Sequence, residues 1–403
     1  MATALKNIIV VGGSYVGKAT AQELAKIIPS THRILLIEPH SHFHHLFAFP
    51  RFAIVPGQEH KAFIPYTNLF TSLLPSPTST PTPHSVIQAR VLSVHPHHIL
   101  LDREWHNSTQ IPFEYLVVAT GTRLSEPAGM RDNEKASSVA YLREHQNDVK
   151  KAKSILIAGG GAVGVQMATD LKEYYPDKEI TVVQSRPLLM PQYHEGLHNL
   201  IMERFSELGI KFITGSRIQV PPEGFPASTP FTVNLTNGTS LPGKYDFVIL
   251  ATGQTPNTDL LTSLPASPES GSLLNPSNGF INIRPTLQFQ DAQYPHLFAV
   301  GDIADTGLRK AARPGAVQAG VVARNINALI RGGEAVEEFP RQPAGIHLTL
   351  GLKYNVVFRN PDVEAGQTEP TVIKRDDGRE DMGVEGWWER MGVKINGPQQ
   401  YHL

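Results

Sequence analysis

Two glycine-rich turns, each set between an apolar run and a helical stretch, leave this chain few folds to choose from. Ile8 to Val11 form a β-branched run, Gly12-Gly13-Ser14-Tyr15-Val16-Gly17 follow, and a helical stretch through Ala21, Leu24 and Ile28 closes at Pro29. A second apolar run, Ile34-Leu35-Leu36-Ile37, then ends at Glu38. The pattern recurs as Ile155-Leu156-Ile157-Ala158, Gly159-Gly160-Gly161-Ala162-Val163-Gly164, a helix through Met167 and Leu171 that stops at Pro176, and Ile180-Thr181-Val182-Val183. Strand, turn, helix, strand is one βαβ unit. A single such fingerprint is a weak signal, whereas two in the same context within one chain point to two dinucleotide folds.

Two shorter echoes accompany them. Tyr115 to Val118 and Phe247 to Leu250 read as buried strands whose ends, Ala119-Thr120-Gly121 and Ala251-Thr252-Gly253, let backbone approach a ligand. Leu297 to Asp302 reads as another buried strand, delivering a carboxylate at its carboxyl tip, where open α/β sheets bind ligands. A helix is expected from Gly315 to Ile330, stopped by Gly332-Gly333. The Pro, Ser and Thr clusters at Pro75–Pro83 and Ser263–Asn278 read as surface loops after which strands resume. Ile346–Leu350 and Tyr354–Phe358 predict a small C-terminal α/β cap.

In a dinucleotide turn the first glycine permits the bend, the second lets the chain touch the pyrophosphate, and the third lets helix and strand pack closely. The first turn has Gly12, Ser14 and Gly17, with Gly13 between; serine at the middle position departs from the strict pattern. Glu38 lies 21 residues beyond Gly17, where an acidic side chain accepts hydrogen bonds from an adenosine ribose; the alternative is a solvated strand-end carboxylate. The second turn satisfies the pattern with Gly159, Gly161 and Gly164, but the position 20 residues beyond Gly164 is Gln184, followed by Ser185 and Arg186. No carboxylate there repels a 2′-phosphate, and Arg186 either pairs with one or is a loop cation, so NADPH suits this turn at least as well as NADH.

Composition narrows the chemistry. With 403 residues, 40% hydrophobic and 18% charged, the chain supplies real cores and is not disordered over most of its length. A net charge of −1 favours no specific binding of nucleic acid. There is no cysteine, which removes disulfides, thiolate metal sites, iron–sulfur ligation and a dithiol redox relay. No apolar run approaches the roughly 20 residues of a membrane helix, and the start has no cleavable apolar stretch, so a cytoplasmic protein is expected. Peripheral membrane contact stays open: Trp387-Trp388 reads as a core anchor or interface pair before a membrane-surface contact.

Taken together, the Gly12 turn with Glu38, the Gly159 turn, Ala119-Thr120-Gly121, Ala251-Thr252-Gly253 and Val300-Gly301-Asp302 resemble the two-dinucleotide-domain flavoproteins related to pyridine-nucleotide disulfide reductases. His44-His45, Pro50-Arg51-Phe52 and Lys61-Ala62-Phe63-Ile64-Pro65-Tyr66 resemble the apoptosis-inducing-factor-like group, which includes ferroptosis-suppressor flavoproteins. The likeness implies two Rossmann-like domains, the second inserted in the first. Residues 1–121 and 251–335 would hold FAD, 122–250 would hold NADH or NADPH, and 336–403 would form the cap. It also implies Asp302 on the ribityl chain, Lys61 beside the flavin as the catalytic cation, and Pro314 to Gln318 over the flavin's pyrimidine side. Gln166, where a glutamate is usual, is a departure. No metal site is expected; His40, His42, His44 and His45 read as packing, loop or flavin-edge residues.

The expected activity is hydride transfer from NAD(P)H to flavin N5 and onward transfer to a quinone-like small molecule, by a monomer or homodimer. The other readings are a reductase of an iron–sulfur partner and a non-catalytic NAD(P)H sensor.

Overall fold

A computed structural model describes residues 4–73, 82–226, 229–308, 310 and 312–403. Residues 75–81 of the first Pro/Ser/Thr loop lie outside these.

The first apolar run becomes the strand Lys6–Val11, and the run ending at Glu38 becomes His32–Glu38. They form the middle of a five-stranded sheet, ordered Leu297–Ala299, Tyr115–Val118, Lys6–Val11, His32–Glu38, Ser85–Gln88, with every pairing parallel. Ile8, Ile9, Val10, Ile34, Leu35 and Leu36 are all fully buried, as continuous apolar runs are when helices or loops cover both sheet faces. The helix Tyr15–Ile27 lies on one face and packs along the C-terminal helix Ala312–Ile330. The other face is covered by Phe289, Tyr294, Leu260 and a three-stranded antiparallel meander, Val91–His95, His98–Trp105 and Ser108–Pro112.

The second unit repeats the plan. Its sheet is Lys211–Ile213, Glu179–Val183, Ser154–Ala158, Phe247–Leu250, again parallel throughout, with the helix Ala162–Tyr174 following the glycine turn. Thr122–Leu124 and Gln254–Pro256 pair antiparallel. The chain therefore leaves the first sheet just after Val118 and returns just after Leu250 through one two-stranded ribbon.

A third sheet, Gly345–Thr349, Asn355–Arg359 and Thr371–Arg375, is antiparallel and is followed by the helix Val384–Arg390. This is the expected α/β cap, with a third strand, Thr371–Arg375, that no apolar alternation had marked. One sequence expectation needs correction: after Ser263–Asn278 no extended strand resumes before Leu297, only isolated bridges such as Leu274 to Ile281 and Ile283 to Phe289. The helix expected from Gly315 begins earlier, at Ala312. Among the described residues, no helix is long and apolar enough to cross a membrane.

Candidate functional site

Both glycine turns stand at the carboxyl end of a central strand, the topological switch point where such sheets bind ligands. In the first, Gly12 has φ +102°, and a Cβ there would fall 2.4 Å from the Ala119 carbonyl oxygen. A Cβ on Gly17 would fall 1.8 Å from the Gly12 carbonyl oxygen. These two glycines are demanded by packing. Ser14 caps the helix without a side-chain bond, so the amides of the first turn face outward at the positive end of the helix, a ready anion site.

Glu38 is buried at the end of its strand, and its carboxylate accepts from the Gly13 amide at 2.5 Å and from His40 Nδ1 and amide at 2.5 and 3.0 Å. Burial alone would raise this carboxyl, but the His40 and Gly13 hydrogen bonds hold it below its ordinary value. Glu38 therefore remains an ionised acceptor rather than a solvated strand end. Tyr66 braces the turn by donating to the Gly13 carbonyl at 2.9 Å.

A third element meets this turn. Gly301, at φ +74°, opens the short turn Gly301–Ile303 after the strand Leu297–Ala299. A Cβ on Gly301 would lie 3.3 Å from Val16, and one on Gly315 would lie 2.2 Å from the Val16 side chain. Gln318 Oε1 accepts from the Gly301 amide at 2.6 Å. Val16, Gly301 and Gly315 thus nest together, bringing the first glycine turn, Asp302 and the N-terminal part of the last long helix to one place. The Asp302 carboxylate has no hydrogen-bond partner among the described residues. Burial pushes it up, with Lys310 pulling the other way. A half-buried acceptor without a donor beside an open helix N-terminus fits the hydroxylated chain and pyrophosphate of a flavin dinucleotide.

In the second turn, Gly159 has φ +119° and a Cβ there would lie 2.2 Å from the Ala251 carbonyl oxygen, while one on Gly164 would lie 1.9 Å from the Gly159 carbonyl oxygen. Gly161 differs. Its backbone, φ −83° and ψ −175°, suits any residue, and no atom stands within 4 Å of a built Cβ. Packing does not require glycine there, and the backbone is left open to the close approach that a pyridine nucleotide pyrophosphate would make. Gln184 is buried and its Oε1 accepts from the Gly160 amide at 3.3 Å, repeating in neutral form the Glu38 to Gly13 contact. Arg186 is exposed in the loop beyond.

The remaining candidates are scattered around these turns. Thr120 Oγ1 donates to the Asn257 carbonyl at 2.8 Å, Asn257 Nδ2 returns a bond to the Thr120 carbonyl at 2.9 Å, and Gly121 lies next to them at φ +59°. Thr252 and Gly253 are exposed at the other end of the linking ribbon, the Thr252 carbonyl accepting from Ser125. Lys61 faces the cap: its ammonium lies 4.6 Å from the Tyr401 ring centre and 3.7 Å from Glu385. The histidines divide. His40 serves Glu38, His42 contacts the Leu403 carbonyl at 3.0 Å, His44 packs among Phe49 and Phe63, and His45 bonds to the Tyr15 hydroxyl at 2.8 Å.

A model of the pyridine nucleotide-disulphide oxidoreductase family matches residues 6–321. The chain belongs to that family. The family's cofactors are FAD and NAD(P)H, and this oxidoreductase is of the apoptosis-inducing-factor-like kind. It is 33% identical to Fe-regulated protein 8 of Mycosarcoma maydis over 97% of this chain and 96% of the relative. It is 25% identical to apoptosis-inducing factor homolog B of Dictyostelium discoideum over 93% and 95%. The fold superposes on a sulfide:quinone oxidoreductase from Aquifex aeolicus with TM-score 0.69 at 19% identity, covering 96% of this oxidoreductase and 90% of that chain.

Two features escaped the sequence reading. Tyr15 lies in an aromatic group, stacked on Phe47 at 4.8 Å and edge-on to Phe43 and Trp387 at 5.2 and 5.0 Å; Phe47 is 52% exposed. Its members come from three separate segments, so no local pattern announces it. The tandem tryptophans part company: Trp388 is fully buried and donates to the Lys61 carbonyl at 2.9 Å, while Trp387 joins Tyr15.

Proposed function

We propose that this oxidoreductase oxidises NAD(P)H through FAD held at the first glycine turn and reduces a small quinone-like acceptor that reaches the flavin directly. The observation that carries the reading is a chain of 403 residues with no cysteine in a family named for disulphide chemistry. No thiol of this chain can relay electrons, so the acceptor itself takes them. Overall, NAD(P)H and a proton plus quinone give NAD(P)+ and quinol, two electrons moving with two protons.

Bound FAD supplies the exchange between hydride donors and one- or two-electron acceptors. The protein's share is placement. Glu38 takes the adenosine ribose, the first-turn amides after Ser14 take the pyrophosphate, and Asp302 takes the ribityl hydroxyls. Gly159, Gly161 and Gly164 present the nicotinamide nucleotide from the second sheet. The division into 1–121 with 251–335 for FAD, 122–250 for NAD(P)H and 336–403 as cap follows from this assignment. The exposed Phe47 face beside Tyr15 and Trp387 supports a planar conjugated acceptor, since flat rings stack on such a face. Lys61, with its charge shared between Glu385 and Tyr401, would link flavin and cap.

The test is anaerobic stopped-flow spectroscopy of the yellow holoprotein. NADH or NADPH should bleach the flavin and a soluble benzoquinone should restore its colour within turnover time. A flavin bleached by neither nucleotide rules the reading out. Reduction that only an iron–sulfur protein reverses would replace the acceptor.

A further inference from the structure

Two helices meet beside the first glycine turn, each carrying the same pair of residue types at the same spacing. On Tyr15–Ile27, Tyr15 is followed three residues later by Lys18; on Val384–Arg390, Trp387 is followed three residues later by Arg390. Residues three apart share a helix face. The two faces are turned towards one another. The Tyr15 and Trp387 rings meet edge-on at 5.0 Å, and the Lys18 ammonium and Arg390 guanidinium stand 5.7 and 5.0 Å from the centre of the Trp387 ring.

Both cations therefore lean on one indole, which attracts them through its π-face but offers no oxygen to accept their N–H groups. Lys18 is only 7% exposed, yet its ammonium meets neither a carboxylate nor a hydrogen-bond acceptor among the described residues, and the Arg390 guanidinium meets none either. Two acids of the same segment, Asp381 and Glu385, are committed elsewhere, both accepting from Arg379. Burial first, then the charges of Arg390 and Lys26, pull the Lys18 ammonium down to about 8. A lysine in that company gains from an anion. Phe47 stacks on the same Tyr15 at 4.8 Å and is 52% exposed, so it offers a flat face to one planar molecule.

We propose that the acceptor taken at this face is anionic: a flat quinone bearing a carboxylate, a sulfonate or an ionised hydroxyl, its ring on Phe47 and its charge held by Lys18 and Arg390. The inference rests on reading this face as the acceptor site. Two electrons and two protons convert the quinone to its quinol, while the charged substituent is unchanged and serves recognition alone. Lys18 and Arg390 are thus specificity residues, and a neutral quinone forgoes their contact.

The probes are naphthalene-2-sulfonate and the neutral naphthalene-2-sulfonamide, which match in shape and are not quinones. Calorimetry on the oxidised holoprotein therefore reads their binding without electron transfer. The sulfonate should bind at least roughly tenfold tighter, a preference that shrinks as salt is raised. Lys18→Met and Arg390→Met should each lower the ratio severalfold and together bring it towards one, whereas Lys18→Arg should keep it. Arg390 is exposed, so its variant gives the answer even where Lys18→Met does not fold. Phe47→Ala should weaken both probes alike, by roughly two- to tenfold. Equal binding of the two probes to the parent protein, or a ratio unmoved in the variants, overturns the proposal. So does binding of the holoprotein to phosphatidylserine vesicles without any sulfonate preference, which gives the patch to a membrane surface. A preference in a holoprotein whose reduced flavin no quinone reoxidises leaves the anion site standing and removes the quinone reading. Equal binding with a flavin that benzoquinone does reoxidise removes the anionic class and keeps the quinone reading.

Discussion

Arg51 Nε donates to Asp170 Oδ2 at 2.6 Å, and neither side chain has any exposure. Arg51 belongs to the short helix Phe49–Phe52 after the first βαβ unit, and Asp170 to the helix of the second. The guanidinium also donates to the carbonyls of Gly351 at 2.9 Å and Leu352 at 3.3 Å, at the edge of the cap. One cation thus ties together three parts of the chain. Burial pushes the Asp170 carboxyl up, and the pull of Arg51 opposes it. The desolvation of two ions offsets much of their attraction, so such a pair shows its weight when one half is removed.

Arg51→Met should accordingly lower stability by about 3–5 kcal/mol, because it strands a buried carboxylate and two carbonyls. Arg51→Met combined with Asp170→Leu should recover much of that loss, apolar replacement of both partners being far milder than breaking one. Urea unfolding of the holoproteins measures both. A single variant that unfolds at the parent midpoint would show that the pair holds nothing together.

The second turn predicts a contrast between neighbours. A methyl at Gly164 would meet the Gly159 carbonyl oxygen at 1.9 Å, so Gly164→Ala must displace backbone and should lose about 1–3 kcal/mol, as overpacking generally does. At Gly161 a methyl meets nothing within 4 Å. Gly161→Ala should therefore melt within about 1 kcal/mol of the parent, the scale of a helix-cap change. If the proposed nucleotide lies against this turn, the methyl occupies space its pyrophosphate needs, and NADP+ binding should weaken by roughly tenfold, a loss of about 1.4 kcal/mol. Paired melting and binding curves decide it; equal nucleotide affinity in Gly161→Ala would mean that the open space is not the binding face.

What could be read beforehand was local. The glycine spacing and apolar runs revealed both parallel sheets, and the strand tips named Glu38, Asp302 and the Thr-Gly pairs, because each lies within one continuous pattern. Contacts made across the chain were invisible. Nothing in Pro50-Arg51-Phe52 announces that Arg51 will find Asp170, nor does Tyr15 declare Phe47 and Trp387, since no periodicity links residues brought together by topology. Thr371–Arg375 was hidden by exposure on every residue, which erases the alternation that betrays a half-buried strand. Only the family resemblance singles out Lys61, and its ties to Glu385 and Tyr401 belong to a cap with few sequence landmarks.

Glu59 links the segment after the Arg51 helix to the helix Lys135–Lys151, accepting from Arg143 at 2.7 Å and from the Gly57 amide at 2.8 Å. Burial raises its carboxyl, but the bonds from Arg143, Gln146 and Gly57 outweigh this and hold it below its ordinary 4.5. The unfolded chain then binds the proton more readily than the folded one. Stability from this group is complete above about pH 4.5 and is lost as pH falls through the lower folded value. Glu59→Gln should be less stable than the parent at neutral pH, and the difference should shrink on acidification. Denaturation midpoints between about pH 7 and pH 3 test this; a constant difference across that range would contradict it.

Asp302 predicts the opposite relation between stability and function. Its carboxylate is pushed up by burial and has no hydrogen-bond donor among the described residues, so the fold gains little from it. Gln318 fixes the neighbouring Gly301 amide at 2.6 Å, which keeps the loop in place whatever the side chain at 302. Asp302→Ala should leave the melting temperature of the flavin-free protein unchanged or raised. Flavin binding should nevertheless weaken by roughly ten- to a hundredfold, the scale of a lost hydrogen bond to a charged acceptor, about 1.5–3 kcal/mol. The flavin-to-protein absorbance ratio after dialysis gives one half of the answer and calorimetry of the stripped protein the other. Full flavin retention in Asp302→Ala would remove the residue from the site, and a large drop in stripped-protein melting would make it a structural residue instead.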